Sequence, residues 1–123
     1  MKFQKTWFYH DNFKNLDKPD MEYLSNFEKK YDINLWELAI NERIFYRFNP
    51  IYHFSSDEIL SILQHECQLF DEILVEVKPD FLLMFEPTLH QHELLYRMCK
   101  KRGIKILLLN QPKFSKQITI TLL

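Results

Sequence analysis

Glu86, Thr88 and His90 cluster just after the apolar run 81–85, and Asn110, Gln111 and Lys113 follow a second apolar run at 104–109. These residue types suit a ligand rich in hydroxyls or one that exchanges a proton. An ionised Glu86 accepts hydrogen bonds or serves as a base, and His90 titrates near neutrality. Asn110 and Gln111 each donate and accept, as sugar hydroxyls require, and Lys113 adds a cation. We therefore read Glu86 and His90 as candidate catalytic residues, and Thr88, Asn110, Gln111 and Lys113 as candidate substrate contacts. Each has a plainer role beside this one. Glu86 is well placed to be an exposed carboxylate favoured by a helix N-terminus. Thr88 with Gln91 has capping-box spacing, and Asn110–Gln111 precede Pro112 as turn residues do.

The elements that must position these residues are marked in the sequence from 78 to 109. Pro79 and Pro87 bracket the first apolar run. Leu94, Leu95, Met98 and Cys99 repeat at helical spacing, and Gly103 can take the left-handed position past the helix end. Two continuous apolar runs joined by a helix predict a right-handed parallel crossover with both strands buried on both faces. Open sheets of this kind bind ligands outside the carboxyl ends of their strands, where the six candidates fall.

Upstream, Asp20 can cap a helix over 21–31 with Met21, Leu24, Phe27 and Tyr31 on one face. A short helix is expected over 35–43, burying Leu35, Leu38, Ala39 and Ile44. The aromatic-rich stretch 45–54 is broken by Asn49–Pro50 and reads as irregular. Ser55 and Glu58 form a capping box that opens the longest helix, to about Val77, with an apolar stripe of Ile59, Ile62, Leu63, Phe70, Ile73, Leu74 and Val77. Residues 2–9 suit a strand or an extended arm, and 117–123 alternate as a third strand. The expected fold is α/β: one small Rossmann-like three-layer domain with a short parallel sheet. A helical or irregular part (1–54) precedes a helix–strand–helix–strand unit (55–123). So thin a sheet leads us to expect a segment of a longer protein, or one that packs on a second copy.

Composition removes several functions. The chain holds one glycine. Neither GxGxxG nor GxxxxGK[ST] can be written with it, which excludes the glycine-loop dinucleotide, P-loop and methyltransferase chemistries. No cofactor is expected. His65 with Cys67 and His90 with His92 are each two apart, which on a helix turns them away from a common ion, so no metal site is expected. The two cysteines do not make a disulfide framework, pointing to a reducing cytoplasm. Residues 1–93 carry a net −8, and residues 94–123 carry seven basic side chains and no acid, so the overall −1 hides a basic end. That end suits either acidic partners elsewhere in the fold or an anionic ligand or lipid surface. Nucleic acid is not expected, since the rest of the chain repels phosphate. The aromatics Trp7, Phe8, Tyr9, Trp36, Phe45, Tyr46, Phe48, Tyr52 and Phe54 offer either core packing or a sugar-stacking surface.

The phrases YDINLW (31–36), NERIFY (41–46), FSSDEIL (54–60) and VKPDF (77–81) come in a recognisable order. They resemble the N-terminal region of bacterial capsule or lipopolysaccharide biosynthesis proteins of glycosyltransferase type. KPDFLL, a helix and then KRGIKI also look like the N-terminal half of GT-B glycosyltransferases. The resemblance covers about residues 20–115. It implies an acceptor-side domain, not catalytically complete alone, that works in the cytoplasm or at the inner membrane face. A sugar or lipid-linked acceptor is its expected ligand, and a missing C-terminal donor domain or a second copy its expected partner. A non-catalytic interaction or oligomerisation domain is the alternative, and a small free-standing enzyme using Glu86 or His90 as base is a third.

Overall fold

The computed structural model describes residues 3–9, 17–42, 45, 53–110 and 119–122. Among the described residues the elements follow in the order α1 (Met21–Tyr31), α2 (Leu35–Ile40), α3 (Ser56–Val77), β1 (Phe81–Phe85), α4 (His90–Lys101), β2 (Lys105–Asn110) and β3 (Thr119–Leu122). The architecture is a small α/β domain whose parallel pair β1–β2 is extended by β3, in the spatial order β1–β2–β3. β3 runs antiparallel to β2, so the third strand expected from the alternation is present without extending the parallel ladder.

Local chemistry sets most boundaries. The Asp20 carboxylate accepts from Tyr23 N at 3.1 Å and starts α1, which buries Leu24, Phe27 and Tyr31 but leaves Met21 exposed. Asn34 caps α2 through Glu37 N, and Glu28 of α1 takes the amide of Leu35 at 2.9 Å, so two side chains cover that helix start. α2 stops at Ile40, short of the expected Arg43. Ile44 and residues 46–52 lie outside the described residues. Ser55 and Glu58 form the expected capping box at the head of α3.

α3 is the spine of the core. Ile59, Leu63, Cys67, Phe70 and Leu74 lie buried along it, while Val77 at its end is exposed. α4 packs Leu94, Met98 and Cys99 against the other helices and β2. It ends as a Schellman turn: Gly103 takes φ +75°, and Ile104 N bonds Cys99 O at 2.9 Å. Residues 3–9 form an extended arm beside α3, with no strand, tied by Lys5 to Glu76 at 2.5 Å.

Two expectations need correction. The start of α4 is not capped by Thr88: the N-cap position is Leu89, no local side chain bonds there, and Thr88 is exposed. Nor are the strands buried on both faces. Leu82, Met84, Ile106 and Leu108 face the helices, whereas Phe81, Leu83 and Phe85 are exposed on the opposite side. Among the described residues the sheet is therefore covered by one layer of helices.

Candidate functional site

His90 is the first residue of α4 and sits between two carboxylates from distant parts of the chain. Its Nδ1 lies 2.5 Å from Glu42 Oε2, just beyond α2, and its Nε2 lies 2.6 Å from Glu66 Oε1 in the middle of α3. Glu42 Oε2 also accepts the backbone amide of His90 at 2.9 Å. The cap that Thr88 does not supply thus comes from a residue 48 positions away, with its negative charge at the positive end of the helix. The Tyr9 hydroxyl donates to Glu66 Oε1 from the N-terminal arm. All three central side chains are secluded, with relative exposures of 7% for His90, 3% for Glu42 and 0% for Glu66.

Carboxylates only accept, so an imidazole with a carboxylate oxygen on each nitrogen is held with both nitrogens protonated. Burial alone would lower the His90 pKa, but the hydrogen bonds and charges of Glu66 and Glu42 outweigh it and raise the value above 6.5. Burial, then the charge of Glu66, push the Tyr9 phenol far above its ordinary range, so it remains a donor. Oε2 of Glu66 is buried and has no hydrogen-bond partner among the described residues. His90 is therefore a cation shared between two carboxylates more than a free base, and of the two carboxylates Glu42 is the one that lines a cavity.

This cavity, of about 240 Å³, has both Glu42 and His90 in its lining. Pro87, Thr88 and Leu89, past the carboxyl end of β1, form one wall, and Leu38 and Asn41 of the α2 end form the other. Glu93 and Arg97, one turn apart on α4, are bonded to each other at 2.9 Å and complete the lining. The cavity thus offers two carboxylates, a guanidinium, an amide and a hydroxyl. A second, apolar cavity of about 350 Å³ between α1, α2 and the head of α3 is lined in part by Leu24, Leu35 and Trp36, and shares no residue with the first.

The candidates from sequence divide accordingly. Thr88 and His90 line the polar cavity together. Glu86 stands exposed beyond β1 and is not among the lining residues. Asn110 is the last residue of β2, at the same sheet edge. Gln111 and Lys113 lie outside the described residues. Glu42, Glu66, Asn41 and Glu93 were not singled out for chemistry by the sequence, Tyr9 entered only as one of nine aromatics, and Arg97 only as one of the basic residues of 94–123. Of those first four, Glu66 alone left a trace there, as an acid three residues after Leu63 and four before Phe70, where the helical period demands an apolar side chain.

Two side chains of the basic end, Arg97 and Arg102, find acidic partners within the fold. Arg97 pairs with Glu93 and reaches Glu37 at 4.0 Å, and Arg102 bonds Asp71 and the Tyr31 hydroxyl, both at 2.8 Å. Lys113 and Lys116 lie outside the described residues. Of the aromatics, Phe45 is buried, Trp7, Tyr9, Trp36 and Phe54 pack on the core, and Phe8 is exposed. Among the described residues no three His, Cys, Asp or Glu side chains gather as metal ligands, and no helix is long and apolar enough to cross a membrane.

Comparison with protein families, with curated proteins and with solved structures finds no match for this chain.

Proposed function

We propose that this chain is the acceptor-side α/β domain of a glycosyltransferase-like protein of bacterial surface-polysaccharide synthesis, and that the polar cavity at the β1 edge receives a sugar of the acceptor. One observation carries the reading: at the carboxyl edge of a parallel strand, Glu42 and His90 are fixed by a buried network and flank a cavity with the donor and acceptor groups that bind hydroxyls. In that role Glu42 accepts a hydrogen bond from a sugar hydroxyl, and the protonated His90 ring behind it, itself bonded to Glu66, holds that carboxylate in place. Arg97 and Thr88 orient the ring from the rim. Glu86, Asn110, Gln111 and Lys113 belong to the same edge and would serve parts of the acceptor outside the cavity.

The phrase order of the sequence supports the same reading, as does the absence of a glycine-rich phosphate loop, since the nucleotide-sugar donor then falls to another domain. On this reading the domain is Rossmann-like, and it works in the cytoplasm near the inner membrane face, where lipid-linked acceptors are presented.

Saturation-transfer NMR on the isolated chain tests this, using glucose, galactose, N-acetylglucosamine and N-acetylgalactosamine as probes. At least one should receive saturation from the protein. Arg97→Met and Thr88→Val should each weaken it about fivefold, the equivalent of one hydrogen bond of about 1 kcal/mol. No transfer to any of the four sugars, or transfer indifferent to both substitutions, overturns the reading.

A further inference from the structure

Among the described residues, the sheet turns an uncovered apolar face away from the helices. Strand register sets Leu83 beside Leu107, and Phe85 beside Leu109 beside Ile120, with Phe81 at the amino end of β1. Phe81, Leu83, Phe85 and Ile120 are 55%, 51%, 65% and 61% exposed, while Leu107 and Leu109 are half-buried between their neighbours. Four of the large exposed apolar side chains of this small protein thus share one face. Lys105, beside Phe81, is the only charge in these rows among the described residues, and it lies at the rim. Parallel strands are otherwise found with both faces covered, so a face of this composition is an interface awaiting its other half.

We propose that a second copy of this chain covers this face, the two sheets packing face to face about a two-fold axis perpendicular to the strands. A two-fold contact must be complementary to itself. A flat apolar face with an uncharged centre meets that condition, because no like charges are brought together in the middle. The same axis lays the Lys105 end of one sheet over the carboxyl end of its partner, where Glu86 stands exposed just past Phe85. Each dimer thereby gains two opposite-charge neighbours at its rim. Size points the same way. At about 200 Å² for a bared aromatic residue, the exposed rows amount to roughly 500 Å² per copy and roughly 1,000 Å² per dimer. That is the lower boundary for a specific interface, and it corresponds to a reversible dimer. The proposal is independent of what the polar cavity binds.

Sedimentation velocity across a wide concentration series tests it. The wild-type chain should shift from monomer to dimer as concentration rises. Leu83→Asp with Phe85→Asp should remain monomeric with an unchanged far-ultraviolet circular dichroism spectrum, since both side chains point away from the core. Lys105→Glu gives a second test that leaves the apolar face intact. It should weaken the dimer severalfold, and adding Glu86→Lys in the same chain should restore it. A wild-type chain that stays monomeric throughout overturns the proposal, as does a dimer that survives the double aspartate substitution. Open-ended assembly, or a dimer formed only with a different protein, also overturns it.

Discussion

A carboxylate as secluded as Glu66 is stable only because of what surrounds it. Oε1 takes hydrogen bonds from Tyr9 and from the protonated His90 ring, and that ring is anchored by Glu42 at its other nitrogen. Two carboxylates and one imidazolium leave a residual negative charge, and the N-terminus of α4 compensates it because Glu42 accepts the first amide of that helix. Removing one member strands the others. His90→Ala should therefore cost about 3–5 kcal/mol, read as a lower urea midpoint, because two buried carboxylates then lose their shared cation. Replacing both partners, as in His90→Leu with Glu66→Leu, should recover part of that loss, since the Glu66 charge is gone and Glu42 keeps its bond to the backbone amide of residue 90. If the cluster were only structural, the recovered double variant would bind sugars as the wild type does. The proposed role requires that binding to fail while part of the stability returns.

At the scale of elements, what was legible in the sequence was what is local. Asp20 and Ser55 each act on an amide three residues on, and Gly103 sits one residue past the C-cap of its helix, so short spacing was enough to reveal two helix starts and one helix end. Thr88 with Gln91 has that same spacing and did not form a cap. Instead Glu42 is brought to the first amide of α4, that of His90, by the packing of α2 against α4, which no local pattern encodes. The candidate site was half visible for this reason: Thr88 and His90 follow an obvious strand, whereas Glu42 and Tyr9 arrive by tertiary folding. The bare sheet face was hidden too, because a continuous apolar run reads alike whether one face is covered or two. Having one glycine also shapes the helix ends. Asp32 and Lys78 take left-handed φ of 53° and 49°, the conformation that glycine occupies without strain. Lys78→Gly should accordingly raise Tm by a few degrees, the counterpart of about 0.5–1 kcal/mol. Gly103→Ala should lower it by a similar amount. Nothing lies within 4 Å of the added methyl, so the whole effect is backbone strain. Paired thermal melts check both signs.

Across the whole molecule, two polar clusters hold the helices together and respond to pH in opposite directions. Arg102 at the end of α4 bonds Asp71 of α3 and Tyr31 of α1, and Tyr31 in turn bonds Asp71 at 2.5 Å, so one knot joins three helices. Burial would raise the Asp71 pKa, but the hydrogen bonds from Tyr31 and Arg102, with Lys30 alongside, outweigh it and hold the carboxyl below 3.8. A depressed carboxylate pKa adds stability that is present above the unfolded value and is lost as pH falls through the folded one. His90 has the opposite sign. Its raised pKa adds stability that is complete below 6.5 and is lost as pH rises through the folded value. The groups facing it are Glu42, Glu66 and Tyr9, and burial with the charge of Glu66 pushes the Tyr9 phenol well up, so it stays a donor on that side. Stability should therefore form a dome with its plateau between the Asp71 transition and about pH 6.5, and a decline through neutrality and above. Urea midpoints measured across pH trace this curve. Arg102→Met should erode the acid side and leave the alkaline decline in place, whereas His90→Asn should flatten the alkaline side alone. A wild-type profile that keeps rising from pH 6.5 to pH 8 would mean that the imidazole between Glu42 and Glu66 is neutral in the folded protein.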